Sequence, residues 1–443
     1  MAEPLLFAVR AGGALGARVL FGRRRRRAWE KAMESCGLQI RKSSRGEPLT
    51  AQAGPVTVRI QPDGTNARNT WITVSISGPP ELQQVRFRPE TPSVKGREIE
   101  IGDASFDSSF FIQGTTPWVL AVFDAETRRL LLPLSHVGRV EMFSGHLQAN
   151  LPNRQLPELL PLLVDASRLL ARPLDVRRRL AENARGDPMA GVRLQNLLSL
   201  AREFPGNPET VERLRAACSD PSPEIRLRAA EHLGAEGRGV LHELAESLAN
   251  DSVSARALSI LGQDLPFERV KVLLDKALAQ HRLLVARACL ESLGKSRDDA
   301  AVLWLAKVLK QGPGELAPAA AEALGKTGNP AAEPPLIRAL ERADDDLRAA
   351  AANALGRVGS ATAVLPLQEA AERSRRSSKL RRAARQAIAE IQSRLPGASP
   401  GQLSLAGAEV GQLSFAEAEA GQLSLTSDPA GQVSLSGIEE ERS

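Results

Sequence analysis

Apolar residues change their period twice along the chain. Between Pro55 and Gln113 they alternate with polar ones or sit in β-branched runs: PVTVRI (55–60), TWITVSI (70–76), QVRFR (84–88), REIEI (97–101) and SSFFIQ (108–113). Turn sequences such as PDG and SGPP separate these runs, so each predicts a strand with one buried face. A short helix is expected at AWEKAMESCG, ended by Gly37. VLAVFDAETRRLLLPL predicts helix with a break near Asp124. GRVEMF and HLQANL, joined by SG, predict a hairpin, and LPELLPLLVDASRLLARPL a long closing helix. Strands in runs with helices at the ends indicate an α+β domain on an antiparallel sheet, here residues 28–175.

Beyond residue 188 the period becomes helical and the sequence repeats itself. IRLRAAEHLG (225–234), SARALSILG (254–262), LVARACLESLG (284–294), LAPAAAEALG (316–325) and LRAAAANALG (347–356) align, each ending in Leu-Gly. A second helical stretch follows each copy. Signals for helix starts, SDPSPE, NDS and ADDD, lie between the units. The glycines at 234, 262, 294, 325 and 356 are expected to cap the first helices in the left-handed conformation. Two helices per unit of about 31 residues predict a stacked solenoid over 188–395, because no single pair can bury its own apolar face. Pro334 and Pro335 are tolerable only in a first helical turn. LRRAARQAIAEIQ (380–392) repeats the first-helix pattern and reads as the C-terminal cap.

These units resemble HEAT repeats, in particular the short kind found in phycobilisome-lyase-type proteins. LRAAAANALGRVG, Leu347 to Gly359, carries the resemblance most strongly. It implies an α-solenoid and a protein-binding scaffold, and less often a lyase component or nucleic-acid binder. The stretch IEIGDASFDSSFFIQG, with the helix and hairpin after it, resembles an uncharacterised bacterial α+β domain; that resemblance implies no activity. Asp103 and Asp107 within it read as makers of turn hydrogen bonds rather than a catalytic pair.

Composition adds little to the fold but narrows the chemistry. Aromatic residues are 3% of the chain and tyrosine is absent, leaving helices to pack through small and branched side chains. Cys36, Cys218 and Cys289 are scattered and odd in number, which argues against a disulfide framework or a zinc site and for a reducing compartment. No P-loop, GxGxxG, GxSxG, HExxH or CxxC occurs, so no cofactor and no catalytic or metal-ligating residue is expected. His232 and His242 read as surface or packing residues.

Charge is unevenly placed. Seven arginines against Glu3 give residues 1–27 a net charge of +6, which equals that of the whole chain. From Ser399 onward seven acids face only Arg442, so this end is acidic. The arm, apolar from Leu5 to Phe21 apart from Arg10 and Arg18, ends in Arg23, Arg24, Arg25, Arg26 and Arg27. This is the pattern of an interfacial helix whose arginine cluster contacts an anionic membrane surface. RSRRSSKLRRAAR (373–385) is the best candidate for nucleic-acid contact, but no aromatic is interleaved, and nucleic acid is not the expected partner.

Residues 396–443 form an acidic tail whose composition predicts disorder. It carries GQ(L/V)S(L/F) four times, keeping the apolar pairs Leu403/Leu405, Leu413/Phe415, Leu423/Leu425 and Val433/Leu435. Two residues apart, each pair lies on one side of an extended strand, so each copy is a candidate partner-binding motif for an exposed sheet edge. The sequence as a whole thus reads as a non-enzymatic protein-interaction scaffold in the cytoplasm, peripheral to the inner membrane face. A nucleic-acid-associated protein and a lyase-like subunit are the alternatives.

Overall fold

The computed structural model describes residues 23–41, 47–66, 68–91, 96–373, 377–394, 403–405 and 413–415. They fall into two compact units, residues 1–237 and 238–443.

The first unit opens with helix α1 (Arg23–Ser35), so the arginine run forms its first turns. Strands β1 (Gln39–Ile40), β2 (Leu49–Ala53), β3 (Val56–Pro62), β4 (Asn69–Ile76) and β5 (Arg86–Pro89) follow. Then come α2 (Ala104–Asp107), β6 (Phe110–Gln113), α3 (Thr116–Val122), α4 (Ala125–Val137), β7 (Arg139–Phe143), β8 (His146–Pro152) and α5 (Leu156–Leu170). The strands make one antiparallel sheet in the order β1-β2-β3-β4-β8-β7-β5-β6. The break near Asp124 is present: its carboxylate accepts from Thr127 N at 2.9 Å and caps α4. Strand β4 shows why alternation was a sound guide, since Thr70, Ile72, Val74 and Ile76 are buried and the residues between them are not. Helix α5 packs on β3, β4 and β8, α4 on β7 and β8, and α1 on α5, all on the side the buried residues face.

One expected strand is absent. Residues 97–101 bury Ile99 and Ile101 but make a single ladder-like bond, Ile99 N to Ile112 O at 2.9 Å. Gly102, at φ +93°, then turns the chain away, and the Asp107 carboxylate takes the N–H groups of Ile101 and Gly102, both at 3.0 Å. Alternation buried the right side chains here, but a side chain captured the backbone donors that a strand would have used.

Asp63, in the turn between β3 and β4, sets a pH limit. Partial burial works against its ionisation. Bonds from Asn150 Nδ2 at 2.7 Å, Thr65 Oγ1 at 2.7 Å and Thr65 N at 2.9 Å outweigh that and hold its pKa at about 2, against an ordinary 3.8. A depressed folded-state pKa contributes stability above the unfolded value that is lost as pH falls through the folded one. Stability should therefore fall between about pH 4 and pH 2, and Asp63→Asn should flatten that part of the curve in urea titrations taken at stepped pH.

Four more helices complete the unit: α6 (Val176–Gly186), α7 (Ala190–Glu203), α8 (Pro208–Ala217) and α9 (Pro223–Leu233). The core that begins at Trp29 and runs under the sheet continues to Leu180 in α6 and Leu200 in α7. A smaller cluster joins Ala184, Leu197, Leu214 and Ile225 along the four helices.

Among its described residues the second unit is helical apart from a short hairpin. Its helices are α10 (Arg238–Ser247), α11 (Asp251–Leu261), α12 (Phe267–Ala279), α13 (Leu283–Leu293), α14 (Asp299–Gln311), α15 (Ala317–Lys326), α16 (Glu333–Ala339), α17 (Asp345–Val358), α18 (Val364–Arg373) and α19 (Ser378–Arg394). The first helices of the repeats, α11, α13, α15, α17 and α19, pack in succession, with α12, α14, α16 and α18 alternating beside them. Pro334 falls at the start of α16, within the first turn.

The repeating glycine has two different jobs. Gly234 and Gly262 do end their helices at φ +59° and +57°. Gly294, Gly325 and Gly356 do not take the expected left-handed cap. Gly294 closes α13 at φ −65°, and the other two lie inside α15 and α17. Their lack of a side chain is used for contact instead. A Cβ on Gly294 would stand 2.9 Å from Ala323 O, one on Gly325 2.6 Å from Ala354 Cα, and one on Gly356 3.1 Å from Ala387 Cα. Each glycine lets the first helix of the next repeat approach its backbone.

Candidate interaction surfaces

Helices α12 and α14 bury one side and leave another open. Val270, Leu273, Leu274 and Ala277 face inward from α12, and Ala301, Val302, Leu305, Val308 and Leu309 from α14. This leaves an apolar surplus outside: Val272 is 50% exposed and Leu303 71%. Trp304, next to Leu303 in α14, is half-buried, with Lys271 Nζ 5.3 Å and Lys307 Nζ 4.2 Å from its ring centroid. Because Lys271 belongs to α12 and Trp304 to α14, the cation–π contact bridges consecutive repeats. Lys271 also lies 3.4 Å from Glu268.

The outer face of the sheet holds a second surface. Arg86 and Arg88 on β5 are opposite Gln113 and Phe111 on β6. The guanidinium carbon of Arg86 sits 4.8 Å from the Phe143 ring centroid, and that of Arg88 5.3 Å from the Phe111 centroid. Phe143 at the end of β7 is 40% exposed, while Phe111 is covered. Arg139 is neutralised by Glu141, at 2.7 and 2.9 Å. Among the described residues, Arg86 and Arg88 have no carboxylate partner. An open groove of about 590 Å³ runs over these strands and reaches His146 and Gln148 on β8.

Of the residues singled out in sequence, Arg26 pairs with Glu30 at 3.1 Å, one turn on, and Arg27 is exposed. Arg23, Arg24 and Arg25 lie in the first turns of the same helix, whose Trp29 and Met33 enter the core. The arm before Arg23 lies outside the described residues. Among the described residues no helix is long and apolar enough to cross a membrane. In the tail, Leu403–Leu405 and Leu413–Phe415 are strands β9 and β10, paired antiparallel with Leu405 opposite Leu413 and Leu403 opposite Phe415. The first two motif copies therefore pair with each other. Leu423, Leu425, Val433 and Leu435 lie outside the described residues.

Asp103 and Asp107 make turn bonds, and Asp103 does more. Its Oδ1 caps α2 through Ser105 N and Phe106 N at 3.2 and 3.3 Å, and its Oδ2 accepts from Arg128 Nε at 2.9 Å. Arg128 reaches Asp187 with a bidentate pair, both bonds at 2.9 Å, and Phe123 O at 2.9 Å. Burial works against its charge, but the two carboxylates outweigh that and hold its pKa above the ordinary value. Asp187 also accepts from Met189 N at 2.9 Å, which fixes the start of α7. Nearby, Asn183 Nδ2 donates to Leu120 O and Ala121 O at 3.1 and 3.2 Å. Two carboxylates and a backbone carbonyl around one buried guanidinium suit a structural clamp rather than a reaction centre.

Among the described residues, no group of three or more His, Cys, Asp or Glu is placed to hold a metal ion. Burial pushes the Cys289 thiol up to about 12, far from a nucleophile's range.

Comparison with known proteins bears on the second unit. A family model described as HEAT repeats matches residues 302–389, from within α14 to within α19. The match and the successive helix pairs of the second unit together support HEAT-type repeats in this part of the chain. No curated protein matches the sequence. Among solved structures the chain is similar to human deoxyhypusine hydroxylase in complex with glycerol, at 17% identity over 49% of this chain and 96% of that one, with a TM-score of 0.21. A superposition that loose sets neither fold nor chemistry.

Proposed function

We propose that this protein is a non-catalytic scaffold whose HEAT-type repeats bind a protein partner. Repeats of this kind present long faces built from successive helices, suited to binding rather than to reaction. The observation that carries the reading is the bridging row on α12 and α14: Val272, Lys271, Trp304, Lys307 and the largely exposed Leu303. A half-buried tryptophan beside an exposed leucine, with lysine ammonium groups near the ring, has the composition of a binding hot spot.

The test is affinity capture from a lysate of the source cells with the full chain, with Leu303→Asp, and with residues 1–397. A partner held by the full chain and by 1–397 but lost from Leu303→Asp supports the solenoid face. A partner lost only from 1–397 moves recognition to the tail motifs. Capture of no protein by the full chain overturns the scaffold reading.

A second reading rests on α19. Arg381, Arg382 and Arg385 are exposed on it around a shallow depression, and among the described residues they have no carboxylate partner. Nucleic acid held there would dissociate steeply as salt rises, and an electrophoretic mobility shift across a salt series would find it.

A further inference from the structure

The outer face of β5 to β8 lies in the first unit, and its reading goes beyond the solenoid and does not depend on it. Strand alternation puts Arg86 and Arg88 on one side of β5, roughly 7 Å apart along the strand. Each guanidinium lies against a phenyl ring, Phe143 and Phe111 respectively. The cation–π contact holds each guanidinium near its ring, so less freedom remains to be lost when an oxyanion arrives. Arg139 beside them is already occupied by Glu141. The groove thus carries two cations that have no carboxylate partner among the described residues, at the repeat of an extended chain, with the exposed Phe143 as an apolar neighbour.

We propose that this face binds an extended acidic peptide segment of a partner protein, in which carboxylates two residues apart engage Arg86 and Arg88. An extended peptide repeats its side chains at the same interval as β5, so alternate glutamates or aspartates match both arginines at once. The side chains between them point the other way, and the residue beyond the pair is placed against Phe143. Single-stranded nucleic acid fits less well. Its bases need open ring faces, and here the Phe111 ring is buried while the Phe143 ring already carries Arg86.

Fluorescence anisotropy with a labelled peptide of alternating glutamate and valine, added to the full chain at low salt, tests this. Binding is expected, and Arg86→Gln/Arg88→Gln should weaken it about tenfold. Arg139→Gln/Glu141→Gln should change it by no more than about twofold, because that ion pair is already neutral. A peptide of equal charge with its glutamates in adjacent pairs should bind more weakly than the alternating one. Arg86 and Arg88 are exposed, so Arg86→Gln/Arg88→Gln should keep its circular dichroism spectrum. Three results would each overturn the proposal: no binding to the unmodified chain, equal losses from Arg139→Gln/Glu141→Gln and Arg86→Gln/Arg88→Gln, or indifference to glutamate spacing. An oligothymidylate that binds more tightly than the peptide, and loses affinity in Arg86→Gln/Arg88→Gln, would reassign the face to single-stranded nucleic acid.

Discussion

Arg128→Met will lower the stability of the first unit by about 3–5 kcal/mol. Arg128 is 4% exposed and makes four hydrogen bonds, three of them to carboxylates. Methionine fills much of the same space, so the loss is not mainly one of packing. Its source is the pair of carboxylates left behind, Asp103 and Asp187, both buried. Trp29, Trp71 and Trp118 report the first unit and Trp304 the second, so urea unfolding followed by fluorescence in a Trp304→Phe background reads the right transition. Adding Asp103→Asn and Asp187→Asn should return more than half of the loss, because neutral amides leave no buried charge and still accept from backbone N–H groups. If the triple variant is as unstable as Arg128→Met, uncompensated charge is not the cause and the account fails.

That clamp also explains what α6 and α7 are for. Asp187 sits between them, Asp103 begins α2 and Arg128 lies in α4, so one guanidinium ties the edge of the sheet domain to the first helical pair. Gly102 and Gly191 meet so closely there that a Cβ on Gly102 would lie 2.3 Å from the Gly191 carbonyl carbon. The shared core through Leu180 and Leu200 completes the joint. Helices α6 and α7 are therefore packed against the sheet domain.

Elements whose signal is local were legible in the sequence. The alternation of β3, β4, β7 and β8, the Asp124 break and the recurring helix pairs follow from period and capping residues alone. What escaped depends on partners distant in sequence. Strand β2 and helix α6 lack strong periodic signals, since LTAQA is short and VRRRLAENARG is mostly polar. The glycine column was found, but Gly294, Gly325 and Gly356 were assigned the wrong job, because Leu-Gly at a helix end looks the same whether the glycine turns the chain or admits a neighbour. Arg128 had a signal that went unused: it falls three residues before Leu131, on the buried side of α4, and a charge in that register calls for a buried partner. The arginines of RFR were equally visible as an outward-facing pair, but which rings they would cover was not.

Gly325→Val is expected to lower the stability of the second unit by about 3 kcal/mol. Two effects compete at this position. Glycine is a poor helix former, and a side chain in its place would recover up to about 1 kcal/mol, less for valine, whose branched Cβ loses freedom in a helix. Against that, the added Cβ would lie 2.6 Å from Ala354 Cα and 2.7 Å from Ala354 Cβ. Neither atom is the free end of a flexible side chain, so α17 must move away from α15 as a body. That separation also opens the contacts of Ala320, Ala321 and Leu324, all buried in the same helix. The overlap therefore outweighs the propensity gain. Gly239→Ala is the control within the same unit: it lies in α10 with nothing within 4 Å of the new methyl and should be neutral or slightly stabilising. Denaturant unfolding read by Trp304 fluorescence, in a chain whose other tryptophans are phenylalanine, separates the two. A Gly325→Val transition at the unmodified midpoint would mean that the repeats slide past the overlap, and that glycine at this interval does not set the spacing of the stack.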